Sequence, residues 1–355
     1  MSLATILLPN FNNERVLPVT FDYLRKYVDC SKFDLVVIDD GSEDQGLHVA
    51  KIHAADCKFK RMEIIERPHE GIVAALNAGL DAVRTDIVIR IDGDATVETP
   101  NWPNLLLKPL EFDEVGLVGG HVIWESGRVH SLGRSAFSPL GLYDMGCCPL
   151  EPIGSRTFDS IVYRPLQEFS SNHIYEVDTV LGVCVAFRKS DAMAFGGFDM
   201  MFNPVWIEDD DFGVAIRNLG KRVLVDPRIH VTHRPSLRGC REPGKVKAAL
   251  SGGRVSGNLK QRIFQKFRTM AAKSKSVLFD ARSAPQFEDI LPREQDPWRV
   301  DILKSHYAKW HSKWGFDPLN PAMLQFARRY WETALCWSMN PTLLERSCRF
   351  LAGLN

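Results

Sequence analysis

The chain has no excess of either charge: Lys plus Arg and Asp plus Glu each number 44 in 355 residues. No global field draws it to nucleic acid, and any anion it binds must be recognised by local groups. No apolar run approaches the roughly 20 residues that cross a bilayer. The opening Met1-Ser2-Leu3-Ala4-Thr5-Ile6-Leu7-Leu8-Pro9 lacks the basic start and apolar length of a signal peptide. These absences predict a cytoplasmic protein. The eight cysteines include no C-x-x-C pair and no regular framework, which argues against a zinc site or a disulfide scaffold. No G-x-G-x-x-G follows the first apolar run, so a dinucleotide-binding Rossmann domain is disfavoured. Gly239 to Lys245 fits the P-loop pattern, but Val246 stands where the magnesium-binding Ser or Thr belongs. No internal repeat is visible.

What the chain does have is an ordered series of acidic clusters: Asp39-Asp40-Gly41-Ser42, Asp92-Gly93-Asp94 and Glu208-Asp209-Asp210-Asp211, followed by His233. The first two directly follow β-branched runs, Leu35-Val36-Val37-Ile38 and Ile87-Val88-Ile89-Arg90-Ile91, which read as buried parallel strands. Carboxylates then stand at the carboxyl ends of strands, where open α/β sheets bind ligands, and they repel one another unless a divalent cation or a proton joins them. In Asp92-Gly93-Asp94 the small middle residue lets both carboxylates reach one hard cation whose shell a diphosphate completes; the alternative is a pair that caps the next helix. Likewise Glu208 to Asp211 stand in the first turn of an expected helix, where the dipole favours acids whatever their role.

Alternation of strand and helix runs from Leu3 to about Gly120: strands at Thr5 to Leu8 and Met62 to Ile65, a helix capped by Asn12 or Asn13, and another from Glu70 to Arg84. Such βα units imply a parallel sheet with right-handed crossovers. Residues 121 to 175 are less regular, Thr179 to Arg188 is strand-like, and the acidic helix runs to Leu219-Gly220. Val223 to Val225 and Ile229 to Val231 read as two short strands that deliver His233. From Asn258 the chain reads as helical pieces divided by prolines.

In this order and spacing the chain resembles the family 2 glycosyltransferases of the GT-A fold. The resemblance rests on Leu8-Pro9-Asn10-Phe11-Asn12 with Glu14, the Asp39-Asp40 and Asp92-Gly93-Asp94 turns, Glu70-Gly71 with Asn77-Ala78-Gly79-Leu80, Gly196-Gly197-Phe198-Asp199, Trp206-Ile207-Glu208-Asp209 and His233. It covers about residues 3 to 235 and implies an α/β fold, a mainly parallel Rossmann-like sheet flanked by helices. The implied domains are a nucleotide-sugar-binding half over 1–120, an acceptor-binding and catalytic half over 121–257, and a helical region over 258–355.

The resemblance also implies roles. Pro9, Asn10, Glu14, Asp39, Asp40, Arg67, Asn77, Asp92 and Gly93 would bind the nucleotide sugar, with Asp40 on the base and Asp92 on the ribose or sugar. Asp94 and His233 would hold Mn2+ or Mg2+, and Asp209, with Glu208 beside it, would be the catalytic base. Trp206, Arg238 and Arg241 are candidates for acceptor or diphosphate contact, the two arginines on a loop that closes over the donor. The expected reaction moves one sugar, with inversion, from a nucleotide diphosphate sugar to the hydroxyl of a glycan, a lipid-linked glycan, a peptide or a small molecule. UDP-sugar is the expected donor. The Q-x-x-R-W motif of processive relatives is missing.

Two rival readings are a nucleotidylyltransferase, whose Gly-rich loop is absent after the first strand, and a non-catalytic binding protein of the same fold. A basic amphipathic helix over 258–278 offers either peripheral membrane contact or packing onto the core. Trp310, Trp314, Trp331 and Trp337 read as a helical core.

Overall fold

The computed structural model describes residues 2–125, 127, 129–138, 141–144, 174–177, 179–235 and 297–314. The calls on Arg238, Arg241, the P-loop-like segment, the 258–278 helix, Trp331 and Trp337 lie outside these residues.

Three parallel strands open the fold: β1 (Thr5–Asn10), β2 (Asp34–Asp40) and β3 (Arg61–Arg67). Strand β4 (Ile87–Ile91) lies parallel to β1 on its other side. From there the sheet becomes mixed. Strand β11 (Cys184–Arg188) is antiparallel to both β4 and β6 (Val115–Trp124), and β12 (Arg222–His233) runs parallel to β6. Short β10 (Tyr175–Val177) closes the edge beyond β12, while β5 (Ala95–Val97) pairs with β12 and β7 (Val129–Ser131) with β6. A separate hairpin joins β8 (Arg134–Ser138) and β9 (Gly141–Asp144).

Both faces of the sheet are covered, because successive strand side chains point to opposite sides. Ile6, Leu8, Leu35 and Val37 enter one core with Leu17, Phe21 and Leu24 of helix α1 (Leu17–Tyr27), Ala50 and Ala54 of α2 (Gly46–Asp56), and Trp102 and Leu106 of α4 (Trp102–Leu107). Leu7, Val36 and Ile38 enter the other with Val73, Leu76 and Leu80 of α3 (Ile72–Ala82), Ala192 of α5 (Lys189–Ala194), and Phe212 and Ile216 of α6 (Glu208–Asn218). Helix α3 rides close on β1: a Cβ at Gly79 would stand 2.3 Å from Leu7 Cδ1.

Several sequence expectations change. Asn12 does not cap α1; it sits at φ 53° and its Oδ1 accepts from the amides of Glu43 and Asp44 ahead of α2. The two strands expected before His233 are one strand with a register shift between Asp226 and His230. Residues 121 to 124, expected to begin an irregular stretch, instead continue strand β6 through Trp124. Within the carboxyl-terminal region the described residues hold one helix, α7 (Pro297–Trp314).

Candidate active site

A cavity of about 620 Å³ opens along the carboxyl ends of β1, β2 and β4 and is completed by the entry to α6. Its wall brings together Pro9, Asn10, Asp40, Asp92, Gly93, Asp94, Trp206, Glu208, Asp209 and His233. Phe11, His69, Arg90, Trp124 and His130 join them.

His233 reaches Asp94 through strand pairing. The antiparallel register of β12 with β5 sets His233 opposite Ala95, and the Arg234 amide donates to the Asp94 carbonyl at 2.7 Å. His233 Nε2 then lies 3.4 Å from Asp94 Oδ1. On the other side β12 pairs His233 with Trp124 of β6, and the rings of Trp124, His130 and His233 stack, with Trp124 and His130 centroids 3.8 Å apart.

Asp92 Oδ1 accepts from Arg90 Nε at 3.0 Å, while Asp94 faces His233. Gly93 is small for another reason: a Cβ there would stand 2.8 Å from Asn13 Nδ2 and 3.1 Å from the Pro9 carbonyl, so the turn lies against the β1 exit.

Arg90 is the charge that the sequence reading overlooked. Its side chain is 4% exposed, and Nη2 lies 3.7 Å from Glu208 Oε1. Burial opposes its charge, but Asp92, Glu208 and Asp209 outweigh it and raise the pKa. The repulsion among the acids is thus relieved by a built-in cation. Burial first, and the Asp209 charge second, push the Glu208 carboxyl up to about 7, while Arg90 pulls it down. Burial likewise raises Asp92. The available signal was an arginine inside an apolar strand two residues before an aspartate, hence on the same strand face.

Asp209 is held by backbone. Its Oδ2 accepts from the Gly182 amide at 2.8 Å and its Oδ1 from the Asp210 amide at 3.0 Å. Gly182 serves twice, since a Cβ there would stand 2.4 Å from Arg90 Nη1. The chain enters α6 through Trp206 at φ 72° and Ile207 at φ 71°. Left-handed backbone at two such residues costs about 1–3 kcal/mol each and persists only where surroundings over-determine it.

The remaining expected residues stand off the cavity wall. Asp39 accepts from Asn10 Nδ2 at 2.6 Å and from Ser42, bracing the β1 and β2 exits. Glu14 Oε2 accepts from the Gln45 amide at 3.1 Å. Arg67 donates to the Ala74 carbonyl and to Glu70. Asn77 makes paired bonds with the Phe198 backbone, at 2.7 and 2.8 Å, tying α3 to the glycine turn before α6. Asp40 lines the cavity, yet its carboxylate accepts from the Glu70 amide at 3.1 Å, the Gly71 amide at 2.9 Å and His69 Nδ1 at 2.8 Å. His69 in turn stacks on Phe11 with centroids 4.0 Å apart.

A mixed sheet covered on both faces, with acids at the carboxyl ends of its parallel strands, is an α/β core of the GT-A type. Residues 5–168 match the family model described as glycosyl transferase family 2. Over that stretch, a little under half of its length, the chain is similar to the family 2 glycosyltransferases. Over 124 residues, 34% of this chain, it is 32% identical to an undecaprenyl-phosphate 4-deoxy-4-formamido-L-arabinose transferase of Shewanella sediminis. Over 125 residues, 35% of this chain, it is 30% identical to a PGL/p-HBAD biosynthesis glycosyltransferase of Mycobacterium bovis. The matches span 38% and 48% of those relatives' own lengths. Among solved structures, a mannosyltransferase, PcManGT of Pyrobaculum calidifontis in complex with GDP-Man and Mn2+, aligns over 96% of this chain and 86% of its own. The TM-score is 0.49 and the identity 17%.

Proposed function

We propose that this enzyme moves one sugar from a nucleotide diphosphate sugar, UDP-sugar first, to an acceptor hydroxyl with inversion, in surface glycan or glycoconjugate biosynthesis. The observation that carries the reading is that one cavity gathers the Asp94–His233 pair and Asp209 around the buried cation Arg90. Pro9, Asn10 and the Asp40–His69 pair form the end of the wall suited to the nucleoside, and Asp92 and Gly93 the part suited to ribose and sugar. Asp39, Glu14, Arg67 and Asn77 support that wall from behind.

One carboxylate and one imidazole 3.4 Å apart suit Mn2+ or Mg2+ as part of a shell. Among the described residues no group of three His, Cys, Asp or Glu could hold a metal unaided, so the donor's diphosphate would complete the coordination. When bound, the ion supplies charge neutralisation for the departing nucleoside diphosphate.

The chain's own residues do the rest. An acceptor hydroxyl is a weak nucleophile at neutral pH, and Asp209 takes its proton as the bond to the anomeric carbon forms. The Gly182 amide holds that carboxylate in place. Arg90 places a buried positive charge beside Asp209 and Glu208. Direct displacement from the opposite face needs one base and gives inversion, through an oxocarbenium-like state. Trp206 on the cavity wall offers an apolar face to a sugar.

The undecaprenyl-phosphate relative supports a lipid-linked acceptor as one candidate. No helix of the described residues is long and apolar enough to cross a membrane; we propose that such an acceptor is met by peripheral contact.

Thermal unfolding with UDP, GDP and dTDP sugars, each with and without Mn2+, tests the reading. A ligand at about a hundred times its dissociation constant adds roughly 2.7 kcal/mol to the folded state. The expected outcome is a manganese-dependent rise in Tm with one nucleotide class, lost in Asp94→Ala. In Asp209→Asn the rise is kept and sugar transfer is lost. A rise indifferent to Asp94 would remove the metal assignment.

A further inference from the structure

Helix α7 lies far along the chain from the cavity, and none of its residues lines it. Its polar side chains nevertheless converge on the segment that enters α6. His306 is 1% exposed, with Nδ1 3.1 Å from the Trp206 carbonyl and Nε2 3.3 Å from the Asn203 carbonyl. Lys309 Nζ donates to the Met201 carbonyl at 2.8 Å. Lys313 Nζ donates to Asp199 Oδ2 at 2.7 Å and to Asp211 Oδ2 at 2.8 Å, and Trp314 Nε1 donates to Asp211 Oδ1 at 2.9 Å. Trp310 is wholly buried, its ring 6.4 Å from that of Phe202.

These contacts bracket the strained turn. Lys309 and Lys313 hold the chain before it, His306 holds two carbonyls within it, and Lys313 with Trp314 holds the first turn of α6 beyond it. From the opposite side, Asn203 Nδ2 donates to the Glu70 carbonyl at 2.6 Å and the Ile72 amide donates to the Pro204 carbonyl at 2.8 Å. The turn is gripped between the start of α3 and α7. Trp206 and Ile207 therefore have no easy route out of the left-handed region, and Asp209 follows two residues later.

We propose that α7 is a positioning clamp: through His306 and Lys313 it keeps the 203–207 turn in the conformation that aims Glu208 and Asp209 into the cavity. The role of Asp209 in this statement rests on the transferase reading. The clamp itself does not.

The full chain, His306→Ala, His306→Gln and Lys313→Met are compared by hydrogen exchange and by hydrolysis of a UDP-sugar with Mn2+. In His306→Ala and Lys313→Met, amides of residues 203–212 should exchange faster while those of β1 and β4 stay as in the wild type. The turnover number should fall roughly ten- to a hundredfold, the scale of a small misplacement of a reacting group, with the donor KM within about twofold. His306→Gln keeps an amide N–H that can serve one of these carbonyls, as one ring N–H of the neutral imidazole does, and should recover part of both losses.

Unchanged exchange over 203–212 in both variants would overturn the proposal. So would a raised KM with an intact turnover number, which would assign α7 to donor binding. Should His306→Ala fail to fold, Lys313→Met, whose side chain is 25% exposed, answers the same question. If the wild type hydrolyses no sugar nucleotide, the transferase reading fails and the exchange result alone decides the clamp.

Discussion

Glu208 carries a pH signature that can be worked out with its sign. Its carboxyl is raised from 4.5 to about 7, first by burial and then by the Asp209 charge. The folded chain holds that proton more tightly than the unfolded one, so in this window folding takes up a proton and stability falls as pH rises. Glu208→Gln removes the dependence. The expected result is that the Tm of the variant, taken relative to wild type, climbs between about pH 5 and about pH 8. A difference flat across that range would mean that Glu208 is already ionised in the folded protein at the lower pH. Arg90 shows what a reading of motifs misses. The acids were conspicuous because they cluster along the chain, whereas their neutralising partner was a single letter inside an apolar strand.

Elements decide which of the motif residues face the cavity. Asn77 belongs to a motif that the family reading joins to nucleotide-sugar binding, yet it faces the turn before α6, and its amide satisfies both backbone groups of Phe198. Asn77→Ala leaves that amide and carbonyl unsatisfied at a residue only 3% exposed, which costs about 1–3 kcal/mol. Urea unfolding should show this loss, while calorimetric titration finds the nucleotide affinity unchanged; weakened nucleotide binding with full stability would return Asn77 to the donor. Element types were legible where periodicity was strong. The runs ahead of Asp39 and Asp92 and the helix after Gly71 appear close to where the pattern set them. Strand β6 was not legible beyond Gly120, because Gly119, Gly120 and His121 interrupt its apolar pattern. Those glycines make sense only in three dimensions, where Val180 and Val231 leave no room for a Cβ.

At the scale of the molecule, two cores on opposite faces lock the centre of the sheet, and β1 lies between β2 and β4 with every residue buried. Strand β3 is the outer strand at one edge and is only partly buried. Hydrogen exchange should therefore be slowest in β1 and β4 and much faster in β3, since opening an edge breaks fewer buried contacts. Equal protection would mean that something covers the β3 edge. The sequence alone determined the alternating α/β order, the placement of carboxylates at strand ends and the family resemblance of residues 5–168, because these follow from local periodicity and short motifs. Tertiary structure decided the rest. The pairing of β12 with β5 and β6 brings His233 to Asp94 and Trp124, Gly182 makes room for Arg90 beside Asp209, and α7 closes on the turn that aims the acids. Each of these joins residues dozens to more than a hundred positions apart. Contacts at that separation are set by how the sheet pairs and packs, which no local pattern encodes.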